Sequence, residues 1–350
     1  MSNTVLVAWG GFVIGLLFGG FGQRTGFCLM RGLKHAWVDG DGRMLRSFAF
    51  AMAIAVLASH ALEAFGYINL RDSIYIQRTF SWPLYLLGGA LFGYGMVLCN
   101  GCGARALVLL GSGNLRSLLV LFCIGIAGHM TLTGVLANLR VTLSGMTSTT
   151  LPMPRASLVG VVESVGLGGS LALWIPALLV SIALLVFCFS HEAFRRSSRH
   201  LIGGAVVGSL VAAGWFVTGH LGYDDFDPVS LVSLTFIAPI GDTIQYLMLS
   251  TGLSLRFGVT VVAGIVLGAL AMALLTRSFE LQGFPTPQRM VRYITGGFMM
   301  GIGGALALGC SIGQGLTGMS TLAIGSMVAL SGILLGAWIA LKSPLRAPAL

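Results

Sequence analysis

Residues 88–102 read GGALFGYGMVLCNGC, and residues 296–310 read GGFMMGIGGALALGC. Both stretches begin as apolar segments, carry glycines at matching places and end in Gly-Cys. Apolar segments of about 20 residues cross the hydrocarbon core of a membrane as helices. Glycine permits irregular backbone, which occurs at membrane depth only where it is buried in protein or lines a cavity. The two stretches therefore predict membrane helices that break beside a pathway.

The composition of the whole chain also indicates a membrane protein. Of its 350 residues, 56% are hydrophobic and 9% are charged, whereas about 25% are charged in an average soluble domain. So little charge excludes a soluble enzyme, a disordered protein and a nucleic-acid-binding protein. A soluble protein of this size needs more charged residues on its surface to stay in solution. The apolar segments are too long for outer-membrane barrel strands. The predicted fold class is an all-α polytopic membrane protein.

Nine apolar segments have the length of a membrane span, and four shorter ones do not. The nine are residues 4–22, 47–66, 83–100, 117–138, 171–190, 201–219, 257–276, 292–309 and 323–341. The four short stretches are residues 25–37, 102–112, 240–252 and 310–320. Because about a dozen residues cannot cross the membrane, we predict that these four are re-entrant helices.

The basic residues predict the orientation of the chain. With the N-terminus outside, 15 of the 20 Lys and Arg side chains fall in inner loops, which the positive-inside rule favours. The C-terminus is then inside. The first nine residues hold no basic group, so we expect no cleaved signal peptide.

The pattern Gly-Gly-x-x-x-Gly occurs in residues 10–15, 88–93, 203–208 and 296–301. Each copy lies in a span that one of the short stretches follows. The repetition predicts two halves, 1–140 and 200–350, each with four spans and two re-entrant helices. Residues 141–199 form a linker with one span, which inverts the second half, as in many transporters. The alternative is that the motif only packs helices closely.

Three cysteines lie on the short stretches and are the candidate substrate-binding residues: Cys28, Cys102 and Cys310. A thiol is a weak donor with a polarizable sulfur, which suits a sulfur-containing substrate. The start of a broken helix presents free N–H groups, which favour an anion. Around the cysteines, the candidate supporting residues are Asn100, Gly101, Gly103, Gly309 and Gln314.

Some polar residues allow more than one interpretation. Cys99 and Cys102 form a Cys-x-x-Cys pair, a possible redox dithiol, but no second pair completes a metal site. Asp242 is either a functional acid within the membrane or a helix cap. The spacing of His60 and Glu63 on one helix favours a structural pair over a proton relay.

The motifs QRTGFCLMRG (23–32), NGCGARALV (100–108), LGCSIGQGLTG (308–318) and TFIAPIGD (235–242) resemble the YeeE/YedE family of bacterial sulfur-transport membrane proteins. The resemblance implies thiosulfate uptake across the cytoplasmic membrane. It also implies nine spans with four short helices that form an hourglass, and a relay of the substrate by hydrogen bonds to Cys28, Cys102 and Cys310. A small TusA-like sulfur-carrier protein is the implied cytoplasmic partner.

Three functions follow from these observations. The first is a thiosulfate or related sulfur-anion transporter, which we favour. The second is a membrane thiol enzyme, such as a sulfurtransferase or an oxidoreductase that uses Cys99 and Cys102. The third is a sensor that signals to a cytoplasmic partner. The sequence contains no nucleotide-binding or dinucleotide-binding motif, so we expect no cofactor and no ATP-driven transport by this chain alone. Because we favour a transporter, we expect that the protein is not an enzyme.

Overall fold

The computed structural model describes residues 3–153, 155–224, 229–284 and 286–343. Almost all regular structure in this part of the chain is helical. The helices are α1 (Asn3–Thr25), α2 (Leu29–Trp37), α3 (Arg43–Ala64), α4 (Trp82–Leu98), α5 (Gly103–Gly111), α6 (Leu115–Leu132), α7 (Ala137–Thr147), α8 (Leu158–Ser164), α9 (Ser170–Phe189), α10 (Glu192–Arg195), α11 (Ser198–Phe216), α12 (Ile237–Leu249), α13 (Phe257–Leu275), α14 (Pro287–Leu306) and α15 (Ile324–Lys342).

Shorter elements complete the described structure. A 3₁₀ turn covers Leu70–Asp72, and π-helical turns cover Val217–Leu221 and Gly313–Gly318. The strands β1 (Thr79–Phe80) and β2 (Thr149–Thr150) pair antiparallel. β2, α8 and most of α7 lie in the predicted linker, residues 141–199, outside its one predicted span.

Eight runs of helix in the described residues are long and apolar enough to cross a membrane, which confirms the all-α polytopic membrane fold. Two of these runs continue through a short break, from α1 into α2 and from α4 into α5. The predicted segment 292–309 falls largely in α14, which has 20 residues but carries Arg289 and Arg292 in its first turns. The count of nine spans therefore stays a prediction.

The starts of α4 and α14 show how local chemistry sets the helix boundaries. The Ser81 hydroxyl accepts a hydrogen bond from the N–H of Leu84, and the Thr286 hydroxyl accepts one from the N–H of Arg289. A proline stands in the first turn of both helices. A hydroxyl cap followed by proline is a strong start signal, because proline lacks the N–H that a first turn leaves unpaired.

Glycines bring the long helices into close contact. A Cβ at Gly15 in α1 would collide with the Val261 carbonyl of α13, and a Cβ at Gly268 would collide with the Leu16 carbonyl of α1. Glycines of the other Gly-Gly-x-x-x-Gly copies approach neighbouring helices in the same way. Close packing, the alternative interpretation of the motif, is thus one of its uses here.

The main helix contacts connect the start of the chain with its end. α1 packs against α13, and α3 packs against α11. Likewise α4 packs against α15, and α6 packs against α14. Each of these four contacts joins a helix before residue 140 to one after residue 197, so the two parts are interleaved rather than separate.

The side of the molecule formed by α9 is apolar and exposed. Leu179, Ile182 and Val186 are at least half exposed on this helix. In water such a surface would be unfavourable, whereas a lipid tail covers it without cost. α9 packs against α3, so it lies at the periphery of the interleaved helices.

Candidate functional site

Each of the three candidate cysteines stands at the beginning of a short helical element. Cys28 is the residue before α2, and Cys102 is the residue before α5. Cys310 lies three residues before the π-helical turn, whose first N–H, that of Gly313, donates to the Cys310 sulfur at 3.3 Å. All three side chains are buried. Free N–H groups at helix starts carry partial positive charge, so the thiols lie where an anion is stabilised.

The same turn precedes all three cysteines. Two residues before each cysteine the backbone adopts a positive φ, at Gly26 (72°), Asn100 (55°) and Leu308 (53°). Glycine and asparagine tolerate this conformation, whereas leucine adopts it at a cost on the order of 1 kcal/mol. The turn ends one long helix and redirects the chain, so that the next element begins at the cysteine.

The three thiols form a series in which Cys102 is central. The side chains of Cys28 and Cys102 lie within hydrogen-bonding range of each other. The hydroxyl of Ser311, the residue after Cys310, lies beside the Cys102 thiol and has no other partner among the described residues. Cys310 itself is close enough to Cys102 to interact electrostatically.

Around Cys310 the surroundings are polar groups of the backbone. Besides Gly313, the N–H groups of Ile312 and Phe236 are near its sulfur. Phe236 is the residue before α12, so this short helix, predicted at residues 240–252, also directs its start toward the Cys310 thiol. Tyr75 interacts electrostatically with Cys310. Neither Tyr75 nor Ser311 was singled out from the sequence.

The predicted supporting residues around these cysteines have mainly structural contacts. A Cβ at Gly101 would lie 3.1 Å from Cγ of Arg105, and one at Gly103 would lie 3.1 Å from Ile240 of α12. A Cβ at Gly309 would lie 3.0 Å from Cγ of Gln314. The Gln314 amide nitrogen donates to the Ala307 carbonyl, while its amide oxygen is buried without a partner.

Cys99 and Asp242 have their contacts elsewhere. The Cys99 thiol donates to the Tyr293 carbonyl of α14 at 3.3 Å. All six cysteines are free thiols. Asp242 lies inside α12 rather than at its cap, and its carboxylate is 3.3 Å from Nε2 of His129 on α6. Among the described residues, no group of His, Cys, Asp and Glu side chains is arranged to hold a metal.

The predicted pair of His60 and Glu63 is wrong. Glu63 instead accepts a hydrogen bond from Arg155 at 2.8 Å. His60 Nδ1 is 2.9 Å from the Val56 carbonyl. Because Arg155 belongs to the linker, far along the chain, spacing within one helix could not identify it as the partner.

Two arginines near the cysteines were missed as site residues. Arg31 and Arg105 both interact electrostatically with Cys28. Arg31 is the third residue after Cys28, and Arg105 is the third residue after Cys102. This shared Cys-x-x-Arg spacing is a signal that could have identified them. It places each guanidinium one helical turn beyond a thiol.

Comparison with known proteins supplies the relatives of this chain. It is 24% identical over 338 residues to the thiosulfate transporter TsuA of Escherichia coli (strain K12), an alignment that covers 94% of this chain and 92% of that protein. It is 26% identical over 343 residues to the thiosulfate transporter TsuA of Spirochaeta thermophila, covering 94% and 97%. These relatives are transporters, which supports the expectation that the chain is not an enzyme. The model of the Sulphur transport family matches residues 24–339, and the chain therefore belongs to that family.

Proposed function

We propose that this protein imports thiosulfate across the bacterial cytoplasmic membrane along a pathway lined by Cys310, Cys102 and Cys28. The observation that carries the proposal is the series of three buried thiols, each at the beginning of a short helical element. The names of the two relatives support thiosulfate as the substrate.

The chemistry of the site fits a relay of an anion without covalent bonds. Removing a divalent anion from water is costly, and N–H groups at helix starts offset part of that cost. A thiol S–H donates a weak hydrogen bond to an oxygen or to the terminal sulfur of thiosulfate. Weak donors in series suit transport, because the ion must leave each position as readily as it arrives. The cysteines act as thiols, since a thiolate would repel the anion.

The orientation and the repeat belong to the same proposal. The N-terminus lies outside and the C-terminus inside, and residues 1–140 and 200–350 form inverted halves that create an hourglass. The four short helices are re-entrant and constrict it. The paired contacts α1 with α13 and α3 with α11 support this arrangement, because exchanging the halves turns one contact into the other. A TusA-like sulfur carrier receives the sulfur at the cytoplasmic side.

The test is uptake of labelled thiosulfate by cells that carry the wild-type protein or the Cys102→Ala variant. We expect the variant to lose nearly all uptake, because Cys102 is the central thiol of the series. Cys123→Ala is the matched control: Cys123 is also buried, but it packs on α6 against Gly297 of α14. Unlabelled thiosulfate, sulfite, sulfate and selenite are added as competitors.

Two outcomes would reject the proposal. Equal uptake by wild type and Cys102→Ala would rule out the relay of thiosulfate by the cysteines. Binding of thiosulfate without flux into proteoliposomes would instead indicate a sensor. Both measurements use protein checked for equal amounts in the membrane.

A further inference from the structure

Three arginines surround the end of the thiol series at Cys28. Arg31 extends from α2, Arg105 from α5 and Arg199 from the first turn of α11. A Cβ at Gly26 would lie 3.2 Å from Nη1 of Arg31 and 3.9 Å from Nη2 of Arg199. Arg105 interacts electrostatically with Arg31, Arg199 and Cys28. The guanidinium groups of Arg31 and Arg199 therefore border the small space that the absence of a side chain at Gly26 leaves open. The guanidinium of Arg105 lies within electrostatic range of both.

None of these charges is neutralised by a carboxylate among the residues that the structure describes. Within the described ranges, no carboxylate lies within ion-pair distance of the three guanidinium groups, and Nη1 of Arg105 is buried without any hydrogen-bond partner. The nearby acids of the loop after α2 are already engaged: Asp39 with His35 at 2.7 Å, and Asp41 with Arg43 at 2.8 Å.

Such an arrangement is unfavourable unless something else balances it. Like charges at close range repel, and a buried donor without a partner loses its hydration without compensation. An ionisable group held in this way near a membrane pathway is a functional site by default. Guanidinium groups match oxyanions in particular, because each presents two parallel N–H donors to two oxygens.

We propose that Arg31, Arg105 and Arg199 form a binding site for a free divalent tetrahedral oxyanion of the thiosulfate and sulfate type. The role of this site rests on the proposed function: it holds the transported ion after the ion leaves Cys28 and before it reaches the aqueous side. The site differs from the thiol series in strength, since charge-assisted hydrogen bonds are about twice as strong as neutral ones.

The geometry favours a small free ion over the headgroup of a lipid. The unpartnered Nη1 of Arg105 is buried rather than at the surface, and the space adjoins the buried thiol of Cys28. A phosphate on a lipid offers the same oxygen chemistry, but it must carry its glycerol and acyl chains to this point.

The experiment measures binding of labelled thiosulfate to the purified full-length protein at constant ionic strength. We expect Arg105→Gln and Arg199→Gln to weaken binding roughly tenfold or more, as the loss of one charge-assisted hydrogen bond predicts. Arg24→Gln is the matched control, because Arg24 is exposed, lies two residues from Gly26 and carries the same charge. Arg105→Lys retains the charge but not the two parallel N–H donors of the guanidinium group. Its affinity for thiosulfate should lie between those of wild type and Arg105→Gln.

A second comparison separates this site from the thiol pathway. Cys102→Ala, which stops uptake under the proposed function, should weaken thiosulfate binding less than Arg105→Gln does, because it removes a weak neutral donor rather than a charged one. A greater loss of binding in Cys102→Ala than in Arg105→Gln would mean that the ion is held mainly at the thiols, and it would overturn the arginine site. Wild-type affinity in both Arg105→Gln and Arg199→Gln would overturn it as well, even if thiosulfate uptake by the wild type is normal.

Nanodiscs distinguish a free ion from a lipid. If the site takes a free oxyanion, thiosulfate binding in phosphatidylglycerol nanodiscs should stay within about threefold of binding in phosphatidylcholine nanodiscs, at high ionic strength. A loss of more than tenfold with the anionic lipid would show that headgroups occupy the arginines, and it would overturn the assignment to a free ion. Arg199→Gln keeps the test valid if Arg105→Gln does not fold, because Arg199 is exposed.

Discussion

Arg155 and Arg105 are both largely shielded from solvent, yet they differ in what balances their positive charge. Arg155 donates to Glu63 at 2.8 Å and lies 3.3 Å from Glu163, with the side chains of Arg155 and Glu63 each 9% exposed. Arg105 has no carboxylate at ion-pair distance in the described part of the chain, and one of its guanidinium nitrogens is buried without a partner. One cation completes an internal ion pair, whereas the other is left uncompensated beside the thiols.

The difference separates a residue that holds the fold from one that is available to a ligand. Removing one member of a buried pair leaves the other charge stranded, which is strongly destabilising. Removing a buried charge that has no protein partner relieves an unfavourable situation and so costs little stability. Thiosulfate binding should respond in the opposite way. It should fall when the unpaired cation is removed rather than the paired one, because only the unpaired cation can bind an incoming anion.

The largest effect is expected from Glu63→Gln. This change leaves Arg155 with only its longer contact to Glu163, so the free energy of unfolding should fall by about 3 kcal/mol. The measurement is thermal unfolding in detergent. Glu192→Gln is the control, because Glu192 pairs with Arg196 on an exposed helix turn, where a pair contributes less than about 1 kcal/mol. An unchanged melting temperature for Glu63→Gln would show that the buried pair does not hold the linker to α3.

The next effect concerns the stability that thiosulfate confers on Arg105→Gln. A ligand at 100 times its Kd stabilises a folded protein by about 2.7 kcal/mol, and we expect this variant to lose most of that gain. Without thiosulfate it should unfold at or above the wild-type temperature. Thermal scans with and without the ion measure both quantities. A large loss of stability in the absence of the ion would place Arg105 in the same class as Arg155.

A smaller effect is expected from Ser311→Ala. The Ser311 hydroxyl lies beside Cys102 and is otherwise unpartnered within the described residues. Like Arg105, it is therefore a polar group available to a ligand. Loss of one neutral hydrogen bond costs about 1 kcal/mol, and thiosulfate uptake should fall about fivefold. Ser320→Ala is the paired control, because the Ser320 hydroxyl is already bonded to Trp215 and Thr317. It should reduce stability but not uptake per folded molecule.

The smallest effect is expected from Asp41→Asn. The Arg43 side chain hydrogen-bonds the Asp41 carboxylate and lowers its pKa to about 2, below the usual 3.8. Because the pKa of Asp41 is lowered in the folded protein, the pair stabilises the fold at neutral pH. This stabilisation is lost as the pH falls from about 4 to 2. Since the pair is exposed, the change in stability should stay below about 0.5 kcal/mol. A tenfold change in thiosulfate affinity would show that Asp41 belongs to the arginine site.

The helices were well predicted because they depend on local properties. The span predicted at 171–190 is α9, Ser170–Phe189, and the span predicted at 257–276 is α13, Phe257–Leu275. The helices α7 and α8 were missed, since they lie in a stretch of mixed polarity whose order depends on contacts with other segments. Arg155 illustrates this, because its partner Glu63 is on α3.

The candidate site was predicted only in part. Glycine on both sides of Cys102 indicated a break in the helix, and the structure begins α5 there. The contact between Cys28 and Cys102, and the position of Ser311 beside them, depend on how three separate turns meet. The positive φ of Leu308 is equally invisible in sequence, because leucine seldom adopts that conformation and does so only when the surrounding structure imposes it.

The sequence alone determined that this chain is a multi-span helical protein with three thiols on short, glycine-flanked segments. Hydrophobic length and glycine placement act within about 20 residues, so they can be read along the chain. Only the tertiary structure decided that Cys102 lies between the other two thiols. It also decided that Arg155 pairs with carboxylates, whereas Arg105 has no carboxylate partner in the described part of the chain. Charge compensation in a low-dielectric interior depends on distances of a few ångströms between residues remote in sequence, and packing sets those distances.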